Sequence, residues 1–245
     1  LMFLGCPIRM ILRLGGGDLN ALFGIAGFAG GIGFGTIFLK KGYSLQRTYA
    51  LSKLESAMMP AIQVGLLVLV VAAPAFIFFS QKGPGAMHAP WLISLAAGLV
   101  VGGLSQVSRL CTVGGFRDLF LFKKSILIFG YLAVLIGVFV VNISFGNFHL
   151  GFENQPIAHT DGLWNFLGMA LAGFCSVLLG GCPLRQLIMT GEGNSDSAVT
   201  VLGLAAGAAF AHNFGLAASG AGPTLNGQIA VGVGFVVALI IAVVN

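Results

Sequence analysis

Long apolar runs constrain this chain more than any other feature. Residues 64–73 and 231–244 carry no charge at all. Seven stretches, roughly 19–39, 58–80, 91–108, 124–146, 162–180, 197–218 and 227–244, approach the ~20 residues a helix needs to cross the hydrocarbon core. Only 8% of the 245 residues are charged and 57% are hydrophobic. A soluble domain of this length could not clothe its surface with so few charges. Composition therefore excludes a soluble enzyme, a nucleic-acid-binding domain and a secreted disulfide scaffold. It predicts an all-α integral membrane protein, a polytopic helix bundle in a lipid bilayer. A barrel would need alternating polar and apolar residues, and the continuous apolar runs do not provide them.

The polar stretches at 40–57, 81–90 and 147–161 are too short for a soluble domain, so residues 1–245 read as one membrane domain. If each run crosses once, Lys40, Lys41, Arg47, Lys53, Arg109, Arg117, Lys123, Lys124 and Arg185 share one side. Arg9, Arg13 and Lys82 share the other. That bias places the C-terminus in the cytoplasm. The parity depends on whether 104–124 spans or re-enters. The chain starts on apolar Leu1-Met2-Phe3-Leu4 with no signal-peptide pattern, and reads as cut inside a membrane segment.

A self-match at an offset of 176 residues adds a second constraint. Gly5-Cys6-Pro7-x-Arg9 returns as Gly181-Cys182-Pro183-x-Arg185, Gly15 and Gly17 as Gly191 and Gly193, and Gly27 and Gly31 as Gly203 and Gly207. The end of a first repeat then occupies 1–57, and a second runs roughly over 58–245. Five runs separate the motifs, and that odd number makes the repeats inverted, as in transporters with broken helices. A looser element, Arg109-Leu110-Cys111-Thr112-Val113-Gly114-Gly115-Phe116-Arg117-Asp118, precedes Cys182 by 71 residues.

Pro lacks an N–H and suits the first turn of a helix, so each Gly-Cys-Pro reads as a helix start with Cys at the break. Irregular backbone at membrane depth persists where it is packed in protein or lines a cavity. Free N–H groups at such a start, with an Arg two residues past the Pro, favour an anion or a thiolate. The candidate path residues are Cys6, Cys111, Cys182, Arg9, Arg185 and Arg117. Asp118 is an ion partner for Arg117, and Glu192 and Asp196 for Arg185, because intramembrane charge is costly. Arg13 and Arg109 read equally well as snorkelling to headgroups. Cys175, inside an apolar run, reads as a small core residue. His212 reads as functional or as a helix–helix hydrogen bond, and His88 and His159 as loop residues. No C-x-x-C pair occurs, and no metal site or cofactor is expected.

Gly180-Gly181-Cys182-Pro183-Leu184-Arg185-Gln186-Leu187-Ile188, followed by Gly191-Glu192-Gly193-Asn194-Ser195-Asp196, resembles the signature of the YeeE/YedE sulphur-transport family. Pro156-Ile157-Ala158-His159-Thr160-Asp161 and Ala211-His212-Asn213-Phe214-Gly215 resemble its YedE branch, which is associated with selenium metabolism. The resemblance implies a bacterial inner-membrane transporter, not an enzyme, with short re-entrant helices at a central constriction. It implies that Cys6, Cys111 and Cys182 hand along a small sulfur or selenium compound, a thiosulfate-like anion, with Asn194 in the motif that supports them. It also implies a soluble TusA-type sulfur-carrier partner on the cytoplasmic side. The family normally carries a further N-terminal segment with another Cys element, so this chain reads as N-terminally truncated. A membrane sulfurtransferase or thiol oxidoreductase, and a passive anion channel, are the rival readings.

Overall fold

The computed structural model describes residues 2–44, 52–73, 86 and 89–244. Residues 74–80 of the second expected span, together with Arg47, Lys82 and His88, lie outside them. The described residues form α1 (Pro7–Gly15), α2 (Asn20–Lys40), α3 (Lys53–Ala72), α4 (Trp91–Ser108), α5 (Thr112–Phe122), α6 (Ile126–Ser144), α7 (Gly162–Leu178), α8 (Pro183–Gly191), α9 (Ser195–Asn213) and α10 (Leu225–Val244). No strand forms among them, only isolated bridges of Asp18 with Gly151 and of Ser219 with Gly222. The all-helical membrane fold expected from the apolar runs is what the chain adopts.

Six stretches are long and apolar enough to cross a membrane: Asn20–Lys40, Lys53–Ala72, Trp91–Phe122, Ile126–Ser144, Gly162–Gly191 and Leu225–Val244. Two of these are helix pairs, since α4 runs on to α5 and α7 to α8 through a break at a cysteine. The sixth expected span, 197–218, is the helix α9, and it is not among the six. Its polar start at Ser195-Asp196-Ser197 and polar end at His212-Asn213 leave an uncharged stretch of only 198–211, short of the ~20 residues a crossing needs.

The chain divides into two compact units. The first comprises Leu1–Arg47, Leu110–Leu184 and Leu204–Asn245; the second comprises Thr48–Arg109 and Arg185–Gly203. In the first unit α2 packs along α7, α1 lies against α2 and α6, and α5 touches α2, α6 and α7. Lipid gives no hydrophobic drive for helices to associate, so close backbone approach must supply the contact. Gly27 and Gly31 supply it here. A Cβ on Gly27 would overlap the Phe166 carbonyl, and one on Gly31 the Ala170 carbonyl. Phe28 and Ile32, on the same face, are fully buried. The outer faces of α6 and α10 expose Phe129, Ile136, Val140, Val236 and Ile240, a surface suited to acyl chains.

In the second unit α3 starts on a capping box, in which Ser52 accepts from the Glu55 N–H and Glu55 accepts from the Ser52 N–H. Pro60 sits within α3 without ending it.

Candidate functional site

Cys6, Cys111 and Cys182 share one backbone device. Each stands immediately before a short helix: Cys6 before α1 (nine residues), Cys111 before α5 (eleven) and Cys182 before α8 (nine). Two residues ahead of each, the chain adopts the left-handed conformation, with φ 58° at Leu4, 52° at Arg109 and 81° at Gly180. An L-residue pays about 1–2 kcal/mol to sit there, so Leu4 and Arg109 hold a strained turn that Gly180 holds freely. Three sequence-distant segments thus present a cysteine at a helix N-terminus by the same turn. Cys175 lies inside α7 beside Phe174 and Leu178 and has no such turn.

Packing then brings two of the three together. The Cys111 and Cys182 side chains hydrogen-bond to one another. Cys111 Sγ also accepts from the Gly114 N–H at 3.3 Å, which caps α5. Both sulfurs are buried in a cluster with Met10, Ile11, Val113 and Tyr131. Tyr131 is the one buried residue of α6. Its hydroxyl donates to the Pro7 carbonyl at 3.5 Å, and its ring lies within electrostatic reach of Cys6 and Cys182. Cys6 itself is exposed.

The arginines fall into three situations. Arg117 pairs with Asp118 at 2.9 Å, the partner expected from the sequence. Arg185 does not pair with Glu192 or Asp196 directly. Its Nη1 donates to Gln106 Oε1 at 2.7 Å, and Gln106 Nε2 donates in turn to Glu192, so a neutral amide bridges the two charges. Asn194 caps α9 by accepting from the Ser197 N–H at 2.9 Å. Asp196 sits exposed in the first turn of α9, where it complements the helix dipole, and His212 is exposed in the last turn.

Around α1 the charges are deeper. Arg13 is buried and its Nε donates to Asp18 Oδ2 at 2.6 Å. Its Nη1 donates to the Phe3 carbonyl at 2.5 Å, and its guanidinium lies 4.2 Å from the Phe3 ring centre. Asp18 Oδ1 accepts from the Asn20 N–H and from Asn20 Nδ2, both at 2.9 Å. Arg13 therefore does not snorkel; it is locked in protein. Arg9 folds its stem back over Gly5, where a Cβ would crowd Arg9 Cδ at 2.8 Å. His159, which reads as a loop residue, is buried: its Nδ1 accepts from the Asp161 N–H at 3.3 Å, leaving Nε2–H to donate to the Met2 carbonyl at 2.7 Å.

A family model described as sulphur transport matches residues 107–244, more than half of the chain. The chain belongs to the sulphur-transport family. Comparison with curated proteins and with solved structures gives no match. The matched stretch contains Cys111, Arg117, Asp118, Cys182 and Arg185.

Sequence reasoning missed Asp18, Gln106 and Tyr131. Arg13 and Asp18 carry a readable signal, because opposite charges five residues apart at membrane depth need each other. Tyr131 carries a weaker one, a polar ring in the middle of an apolar run. Gln106 carries none, because its role rests on which helix lies beside it.

Proposed function

We propose that this protein carries a small sulfur or selenium compound, a thiosulfate-like anion, along a path lined by Cys6, Cys111 and Cys182. One observation carries the reading: two cysteines from segments 71 residues apart, each at a helix N-terminus behind the same left-handed turn, hydrogen-bond inside one buried cluster. Helix N-termini attract the anion, and S–H···S contacts hold it weakly enough for release. The motif resemblance supports the YedE branch and hence selenium chemistry as well as sulfur. It supports a bacterial inner-membrane location, inverted repeats and a TusA-type carrier that receives the cargo in the cytoplasm. The Lys and Arg bias supports a cytoplasmic C-terminus.

Uptake of labelled thiosulfate into proteoliposomes tests the reading. Cys182→Ala abolishes uptake and Cys175→Ala leaves it unchanged. Undiminished uptake by Cys182→Ala overturns the cysteine path, and flux retained after removal of all four cysteines assigns a passive channel. The Cys111–Cys182 contact also favours a second reading, a thiol oxidoreductase. Cycling of that pair through a disulfide in detergent, without vesicles, is its signature.

A further inference from the structure

Cys6 is exposed, whereas Cys182 is sealed inside the buried cluster. Of the twelve buried residues in that cluster, ten are at most 2% exposed, Cys182 among them at 1%. Tyr131, at 9%, and Cys111, at 8%, come nearest its surface. A cargo therefore cannot step from Cys6 to Cys182 until a wall residue moves.

Tyr131 stands at this rim because glycines draw α6 onto two short helices. A Cβ on Gly114 would meet Leu127 Cδ1 at 3.0 Å, and one on Gly115 the Ile128 backbone nitrogen at 3.3 Å, so α5 takes the start of α6 at close range. A Cβ on Gly15 would crowd Val138 Cγ1 at 2.7 Å, so the far end of α1 takes α6 about two turns past Tyr131. Positions 127, 131, 134 and 138 follow one another along a single helix face. Tyr131 is held between these two close approaches, with its ring edge-on to Phe116 of α5 at 5.8 Å.

Tyr131 is placed firmly but latched weakly. In an apolar membrane helix a phenol hydroxyl needs a partner. The partner it has is the Pro7 carbonyl at 3.5 Å, well beyond the ~2.7–2.8 Å of a strong O–H···O bond. Such a bond opens at little cost. Pro7 follows Cys6 directly, and Tyr131 lies within electrostatic reach of Cys6 and of Cys182. One side chain at the rim of the cluster is thus close to the exposed thiol and to the buried one.

We propose that Tyr131 gates the step from Cys6 to the Cys111–Cys182 pair: its ring covers Cys182, and its bond to Pro7 opens to let a small sulfur oxyanion pass. The gate rests on the transport reading and adds to it a residue that decides what reaches the buried thiols. An anion offers the hydroxyl a charge-assisted acceptor, which is stronger than the carbonyl it replaces. An apolar molecule offers no such exchange and meets the closed ring. Selectivity at this step then comes from α6, a helix that carries no cysteine.

Cysteine labelling tests the gate. The purified full chain in neutral detergent is treated with sulfonatoethyl methanethiosulfonate, a thiol reagent with a sulfonate head, and mass spectrometry follows each cysteine. In the wild type Cys6 is labelled about tenfold faster than Cys182, in line with their exposure. Tyr131→Val removes the ring; it speeds Cys182 labelling about tenfold and leaves Cys6 within about twofold. Tyr131→Phe removes only the latch and speeds Cys182 labelling about threefold, the effect of one weak hydrogen bond. It reads the same gate if Tyr131→Val does not fold. Leu135→Ala loosens the packing of α6 against the cluster one turn further on, and leaves Cys182 labelling unchanged. A rise below about twofold in both Tyr131 variants overturns the gate, as does a wild type that labels Cys182 as fast as Cys6. An equal rise in Leu135→Ala assigns the effect to loosened packing and also overturns it. Thiosulfate uptake by wild-type proteoliposomes separates the two readings. Its absence sinks the transport reading alone, because labelling reports on the gate without transport.

Discussion

Residues 4–40 and 180–213 are written in the same pattern and fold into the same local backbone, yet they do different work. Leu4 and Gly180 are left-handed, α1 and α8 have matching bounds, and Gly17 and Gly193 are left-handed at φ 99° and 86°. The bonds that close the helices also match. The Asp18 N–H donates to the Arg13 carbonyl, and the Asn194 N–H to the Met189 carbonyl, both at 3.0 Å. The side chains at those positions diverge. Arg13 and Asp18 form a buried ion pair, where Met189 and Asn194 form none. The helices that follow diverge further. Gly27 and Gly31 of α2 touch α7, whereas a Cβ on Gly203 or Gly207 of α9 would meet no atom among the described residues. A repeated pattern therefore fixes backbone turns, and the partner that each copy finds sets its burial and charge.

The largest break in this comparison is Asp18→Ala. It leaves the Arg13 guanidinium buried without its counterion, at about 3–5 kcal/mol. The matched Asn194→Ala removes a helix cap and costs about 1 kcal/mol. Reversible unfolding in mixed micelles reads both, and equal losses would show that the ion pair adds nothing to the copy that carries it. Next comes Gly31→Leu, which forces α2 off α7 and costs about 3 kcal/mol, the upper range for overpacking. Gly207→Leu stays within about 0.5 kcal/mol, as surface changes do. A comparable loss at Gly207 would reveal a partner for α9. The smallest effect is a gain. Arg109→Gly relieves a left-handed L-residue and stabilises by about 1 kcal/mol, while Gly180→Ala costs a similar amount. If Arg109→Gly destabilises, its side chain holds the turn for another reason.

Much of the fold was legible because lipid leaves few options. A run such as 227–244 has to be a helix, and it became α10. The Gly-Cys-Pro breaks were legible because Pro suits the first turn of a helix and Gly can turn just before it. The sixth expected span, 197–218, folds as α9 and falls outside the six because Asp196, His212 and Asn213 cut its apolar stretch short. At the candidate site, the type of each cysteine position could be read from its neighbours. Cys111 and Cys182 could not be paired that way, because their contact needs α5, α6 and α1 to converge around Tyr131. The direct Arg185 ion pair was the natural guess from sequence, and Gln106 takes that place because it lies nearer in space.

The sequence alone determined that this chain is a helical membrane protein, that its helices break at Cys6 and Cys182, and that one motif is written at both breaks. Those properties depend on hydropathy, proline geometry and glycine turns, which act over a few residues. Tertiary structure decided which cysteines touch, which arginine is neutralised and which is bridged through Gln106. The Cys111–Cys182 contact and the Gln106–Arg185 bridge depend on distances between segments more than 70 residues apart, which no local rule encodes.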